Sequence, residues 1–266
     1  MFTEYFKFRS VPFTKGIPPV ALFVHSELLE LHNRFKFCVL NNKFAVVTGV
    51  CGTGKTTAIR RFDSSLDKSK YVVLYISQSS LNARGFYRIM LDKLGIQARR
   101  NIVEAKKQLQ EQLYLMQHVK NIHPVCIIDE SHLLSYDMLE EIRFLLNMQF
   151  DSISPVSLIL AGQPELLTKL QSPKCEAINQ RIDIIFHLKP FDLTTTNEYI
   201  KHQLKYAGAK NDIFTEKAIS DIHVNTSGVA RRIDKVCTNC LIYASQKKIN
   251  IIDDHVVNYV SNGEFM

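Results

Sequence analysis

Apolar residues follow two rhythms along this chain. Continuous runs at Phe44 to Thr48, Tyr71 to Ser77, Pro124 to Ile128, Val156 to Gly162 and Ile182 to Leu188 have the length and make-up of strands buried on both faces. Between them the spacing is helical. A helix-competent stretch runs from Thr57 to Phe62, and Phe86, Ile89, Met90 and Leu94 predict a helix over 81–94 that Gly95 closes. Ile102, Leu109, Leu113 and Met116 mark a second amphipathic helix, and Leu139, Ile142, Leu145 and Leu146 a third, with Ser135 as its N-cap. Strands alternating with helices of this length predict an α/β fold with a parallel five-stranded sheet, its ligand at the carboxyl ends of the strands.

The rhythm changes at Pro190. Beyond it only helices are predicted: Thr195-x-x-Glu198 reads as a capping box opening a helix that ends at Gly208, Thr215 caps another, a third follows Gly228, and Asp253 caps a last short one. The expected division is an α/β core over residues 1–190, with a short N-terminal segment, and a helical lid over 191–266.

At 266 residues and 46% apolar content the chain can bury a core and a small second unit. No apolar run approaches the ~18 residues of a membrane helix, and Met1-Phe2-Thr3-Glu4 lacks the basic start of a signal peptide. A soluble, cytoplasmic protein is expected. Six scattered cysteines read as reduced thiols, and Cys237-x-x-Cys240, inside a helical pattern with no second pair, reads as core packing.

Chemistry enters between the first strand and its helix. Gly49-Val50-Cys51-Gly52-Thr53-Gly54-Lys55-Thr56 matches G-x-x-x-x-G-K-T, a P-loop, and Thr57 extends the set of nucleotide-binding residues. Its glycines let backbone N–H groups face a polyphosphate, Lys55 can reach the β and γ phosphates, and the Thr56 hydroxyl can ligate magnesium. The run Pro124 to Ile128 then ends in Asp129 and Glu130, a Walker B pattern. Asp129 is expected to hold the Mg2+ shell and Glu130 to orient and deprotonate an attacking water, so ATP and Mg2+ are the expected ligands.

Charge narrows the partners. The net charge is +7, but residues 1–133 carry 19 Lys and Arg against 10 Asp and Glu, whereas 134–266 carry 14 against 16. The excess concentrates at Arg84, Arg88, Lys93, Arg99, Arg100, Lys106 and Lys107, which suits a polyanion followed along its backbone; a solvated face is the other reading.

A P-loop core with Ile127-Ile128-Asp129-Glu130, a polar residue after the next strand and a helical lid is similar to the AAA+ class. Tyr5-Phe6-x-Phe8, Pro12-Phe13, Leu22-Phe23, Asp129 to Leu134 and Leu160-Ala161-Gly162-Gln163-Pro164-Glu165-Leu166 sharpen the likeness. So do Asn179-Gln180-Arg181-Ile182 and Ser227 to Asp234. Together they resemble the ExeA-like ATPases, which include the TnsC/TniB-type regulators of DNA transposition. The likeness covers nearly the whole chain and departs from the family pattern at Ala230, where proline is usual, and at Ser131, where alanine is common.

The resemblance implies roles for further residues. Gln163 looks like sensor 1, able to hydrogen-bond the γ-phosphate or the water. Arg181 matches the segment that carries an arginine finger toward a neighbouring subunit, an intrasubunit salt bridge being the alternative. Arg231 looks like sensor 2, with Arg232 its adjacent rival. It further implies a homo-oligomer, ring or helical filament, that assembles with ATP on duplex DNA, recruits a transposase and answers to a target-selecting protein. A secretion or envelope-assembly ATPase of the ExeA kind and an origin-initiator-like ATPase are the alternatives; a helicase, suggested by Asp129-Glu130-Ser131-His132, needs two lobes where one core and a lid are expected.

Overall fold

A computed structural model describes residues 2–77, 81–146, 154–261 and 263. Five strands, β1 (Phe44–Thr48), β2 (Tyr71–Ile76), β3 (His123–Ile128), β4 (Ser157–Gly162) and β5 (Ile184–His187), form one parallel sheet in the order β2-β3-β4-β1-β5. The helices are α1 (Phe2–Tyr5), α2 (Ser26–Leu40), α3 (Lys55–Ser65), α4 (Ala83–Lys93), α5 (Ile102–His118) and α6 (Tyr136–Arg143). They continue with α7 (Glu165–Leu170), α8 (Glu176–Asn179), α9 (Leu193–Ala207), α10 (Glu216–Thr226), α11 (Ala230–Lys247) and α12 (Asp254–Ser261).

By contact the chain divides into a sheet unit, Glu27–Val50 with Lys55–Leu188, and a helical unit, Met1–Ser26, Cys51–Gly54 and Lys189–Met266. In the sheet unit β1, β3 and β4 are covered on both faces, which explains their unbroken apolar runs. Val46, Cys126, Ile128, Leu158 and Leu160 face a cluster built with α4, α5 and α6. Their neighbours Ala45, Val47, Val125, Ile127, Ile159 and Ala161 face Leu31, Phe35, Ala58 and Phe62 of α2 and α3. The N-cap expected of Ser135 is made, its hydroxyl accepting from Met138 N at 3.1 Å, and Gly95 follows α4 at φ +73°.

The helical unit packs α9 to α12 around Ile200, Ile219, Ile222, Ile233 and Leu241. The expected division at 190 puts the N-terminal segment with the core; by contact it lies with the helices. Phe13 joins their apolar cluster, Phe2, Phe6, Phe8 and Phe23 pack against it, and the Arg9 N–H donates to Ala207 O at 2.7 Å. The expected capping box at Thr195 is displaced by one turn. Asp192 is the N-cap of α9, its carboxylate accepting from Thr195 N at 2.7 Å, because a charged acceptor satisfies that orphan N–H more strongly than a hydroxyl does. Thr215 and Asp253 cap α10 and α12 as expected. Among the described residues no helix is long and apolar enough to cross a membrane.

Candidate functional site

Strand order brings the predicted residues together. Because β4 lies between β1 and β3 and all three are parallel, Gly49 after β1, Asp129 after β3 and Gln163 after β4 leave the same edge of the sheet. Arg181 does not. It precedes β5, next to Asp183, whose carboxylate accepts from Phe44 N and pairs with Lys43, so it stands at the amino edge. That is the length of β1 away from Gly49, about 16 Å at ~3.3 Å per residue.

The loop after β1 has the conformation that anion binding needs. Gly52 and Gly54 have φ of +91° and +103°, a left-handed geometry that turns successive N–H groups toward one side. Lys55 opens α3, is only 7% exposed, and donates to Gly49 O at 2.6 Å and Val50 O at 3.2 Å. Its ammonium is therefore folded back over the loop rather than extended into solvent; Val50, Cys51 and Thr53 lie in the loop and Thr57 in the first turn of α3.

The two Walker B acids separate in environment. Asp129 is 3% exposed; its Oδ2 accepts from the Thr56 hydroxyl at 2.7 Å and from the Tyr75 hydroxyl at 3.0 Å, and its Oδ1 from Glu130 N at 2.9 Å. A threonine hydroxyl touching a buried carboxylate is a hard-oxygen pair of the kind magnesium takes, so these residues fit the ion. Burial, then the charge of Asp129, pushes the Tyr75 phenol up to about 12 and keeps it a donor. Glu130, by contrast, has a side chain 46% exposed and a left-handed φ of +53°, an unfavourable conformation for a residue with a Cβ. Its carboxylate is thus half-exposed, with Oε2 3.6 Å from His132 Nδ1. Ser131, a departure from the family pattern, is fully buried and its hydroxyl donates to Ile128 O at 2.6 Å, which satisfies it.

Gln163 lies beside this pair, its amide Nε2 3.0 Å from His132 Nε2. Tyr75 and His132 belong to the site but carried no role in the sequence reading. A hydroxyl near the carboxyl end of a largely aliphatic strand was the available signal for Tyr75. For His132 only the tetrad Asp129 to His132 was visible.

Within the helical unit the loop tip meets α11. Arg231 N–H donates to Gly52 O at 3.2 Å and its guanidinium to Cys51 Sγ at 3.4 Å, and a Cβ on Gly52 would fall 2.8 Å from Arg231 Cβ. Arg232, one residue on, points about 100° away around the helix. Asp234, one turn after Arg231, accepts from the Tyr199 hydroxyl at 2.6 Å, and burial raises its carboxyl to about 6 against the pull of Tyr199 and Arg231.

The basic set splits. Arg84 and Arg88, four residues apart on the exposed side of α4, share a face, while Lys93 projects elsewhere. Arg99, Arg100 and Lys107 are exposed, with long surface contacts from the Arg99 side chain to Glu104 (3.9 Å) and from Lys107 to Glu111 (4.0 Å). Lys106 is turned inward. Its ammonium bonds Glu141 at 2.8 Å and lies 4.0 Å from the centre of the Phe144 ring, so it is a packing cation and leaves the set expected to meet a polyanion.

Comparison with known proteins agrees with this architecture. Residues 39–170 match the AAA domain family. The chain is 28% identical over 246 residues to General secretion pathway protein A of Aeromonas hydrophila, covering 92% of this chain and 45% of that protein. It is also 28% identical over 142 residues to the Mu-like prophage FluMu DNA transposition protein B of Haemophilus influenzae, covering 53% and 45%. The chain thus spans less than half the length of these curated relatives. Among solved structures, Cdc6p from Pyrobaculum aerophilum superposes with a TM-score of 0.70 at 17% identity, covering 99% of this chain and 71% of that one, a likeness of fold.

Proposed function

From the match of residues 39–170 to the AAA domain family we propose that the chain binds and hydrolyses ATP with magnesium. The observation that carries this is the contact of Thr56 with buried Asp129 beside the folded-back Lys55. Magnesium, when bound, neutralises charge on the β and γ oxygens. The loop from Gly49 to Thr57 offers its N–H groups to the phosphates, and Thr56 and Asp129 hold the ion. Glu130 accepts the proton of the attacking water, and Gln163 orients that water or the γ-phosphate. Arg231 acts through the loop tip it contacts. Arg181, at the far edge of its own sheet, serves a neighbouring subunit.

We propose further that ATP drives assembly on duplex DNA and that the assembly regulates transposition through a transposase. Support comes from the exposed arginines at 84, 88, 99 and 100 and from the relative named for DNA transposition. A secretion-pathway role is the second reading, favoured by the longer match, 246 residues, to the secretion relative.

Two measurements separate these levels. Glu130→Gln should keep ATP binding and lower turnover by about 10²-fold or more, since an amide cannot accept the proton; parental turnover would remove Glu130 as the base. Fluorescence anisotropy of a labelled duplex should show binding that is tightened by a non-hydrolysable analogue and weakened by salt. The double change Arg99→Ala, Arg100→Ala should reduce the salt slope by about one to two. Nucleotide-independent or absent binding would leave the ATPase standing and turn the choice to secretion.

A further inference from the structure

We propose that His132 is a positioning residue that links Gln163 to Glu130, so that the two groups acting on the water move as one. The inference rests on the ATPase reading above. His132 occupies a tight turn, Ser131–Leu133, that Glu130 enters through its left-handed backbone. Three features immobilise that turn. Ser131 is pinned to Ile128 O, and Lys169 of α7 donates to His132 O at 2.8 Å and Leu134 O at 2.7 Å. The end of β4 presses against it as well: a Cβ on Gly162 would stand 3.0 Å from His132 N, an approach that glycine permits.

The imidazole, its side chain 11% exposed, is then presented to both partners. Gln163 donates its amide to Nε2 at 3.0 Å, which makes Nε2 the acceptor and leaves the ring proton on Nδ1. Nδ1 faces Glu130 Oε2 at 3.6 Å. The Gln163 main-chain N–H also points at Nδ1, at a longer 3.4 Å; a neutral ring accepts at one nitrogen only, and the shorter amide contact at Nε2 is the one it makes. A shift of the Gln163 amide therefore changes what the ring offers the carboxylate, and Glu130, half exposed and on a strained backbone, has this ring to steady it.

The test uses His132→Ala, His132→Gln, Gln163→Ala and the double change in the full chain. His132→Ala should lower kcat for ATP on the order of 10²-fold, the cost of misplacing a reacting group by about 1 Å, with KM within about twofold and the melting temperature kept. His132→Gln, which restores an amide donor and acceptor, should recover about tenfold of that loss, and the double change should be no worse than the poorer single one. Independently of turnover, nitrogen NMR of the imidazole, assigned by its loss in His132→Gln, should show the Nδ1–H tautomer and shift in Gln163→Ala. Parental kcat in His132→Ala, a loss carried by KM, multiplicative single effects, or a ring signal unmoved by Gln163→Ala would each overturn the inference. If the parental protein does not hydrolyse ATP, the ATPase reading fails on its own account, and the NMR result alone decides whether the link exists.

Discussion

At the scale of single residues, conformational demand and contact distinguish glycines that look alike in sequence. Gly228 has φ +69°, and a Cβ there would fall 1.9 Å from Phe191 O. Gly54 has φ +103° but nothing within 4 Å of a Cβ. Gly228→Ala is expected to destabilise the protein by about 3 kcal/mol, combining an unfavourable left-handed backbone with a clash. Gly54→Ala should cost less in stability and more in ATP affinity, because it stiffens the loop where N–H groups meet phosphate. Urea midpoints at constant slope, with nucleotide titrations, separate the two; equal stability losses would show that the clash at Gly228 relaxes. The same scale shows why His132 and Tyr75 escaped sequence reading. Their significance lies in partners 31 and 54 residues away, Gln163 and Asp129, and no local pattern records such pairs.

At the scale of elements, helix starts depend on which polar side chain reaches an orphan N–H first. Asp192 does so for α9, and its contact with Thr195, chiefly with the backbone N–H, holds its carboxyl below the ordinary carboxylate value. Asp192→Ala should cost about 1 kcal/mol at neutral pH, whereas Glu198→Gln, the acid of the expected capping box, should cost nothing. For an acid whose folded value is depressed, the stabilisation is complete above the unfolded value and is lost as pH falls through the folded one. The Asp192→Ala deficit should therefore be full above about pH 5 and fade below about pH 4. Urea unfolding across that range checks it; a deficit that grows in acid would contradict the cap. At the start of α11, the departure Ala230 occupies the first helical position, where proline is favoured but not required, so alanine serves.

At the scale of the whole molecule, the decisive fact is where Arg181 stands. Since it leaves the amino edge of the sheet and the P-loop the carboxyl edge, a finger role requires a second copy. Mixing Arg181→Ala subunits with Lys55→Ala subunits should restore part of the ATPase activity that each lacks alone, because some interfaces pair an intact loop with an intact arginine. No rescue, with both variants folded and assembling, would assign Arg181 to its own subunit's structure.

The α/β class and its strands followed from sequence alone, because a strand covered on both faces leaves a continuous apolar run and each was bounded to within about two residues. The P-loop and the acids after β3 were equally legible, since phosphate and magnesium demand fixed residue types at fixed local spacing. Helix α2 was missed although Leu28, Leu31, Phe35 and Cys38 recur at helical spacing, and α7 and α8 were too short to establish a period. Only the tertiary structure decided which face a long side chain takes. Lys106 and Arg99 are both basic residues of one segment, yet the first turns into an acidic, aromatic niche and the second stays in solvent. It likewise decided the order β2-β3-β4-β1-β5, and so which distant residues share an edge, because strand pairing is settled by burial across the sheet and leaves no mark within a single strand.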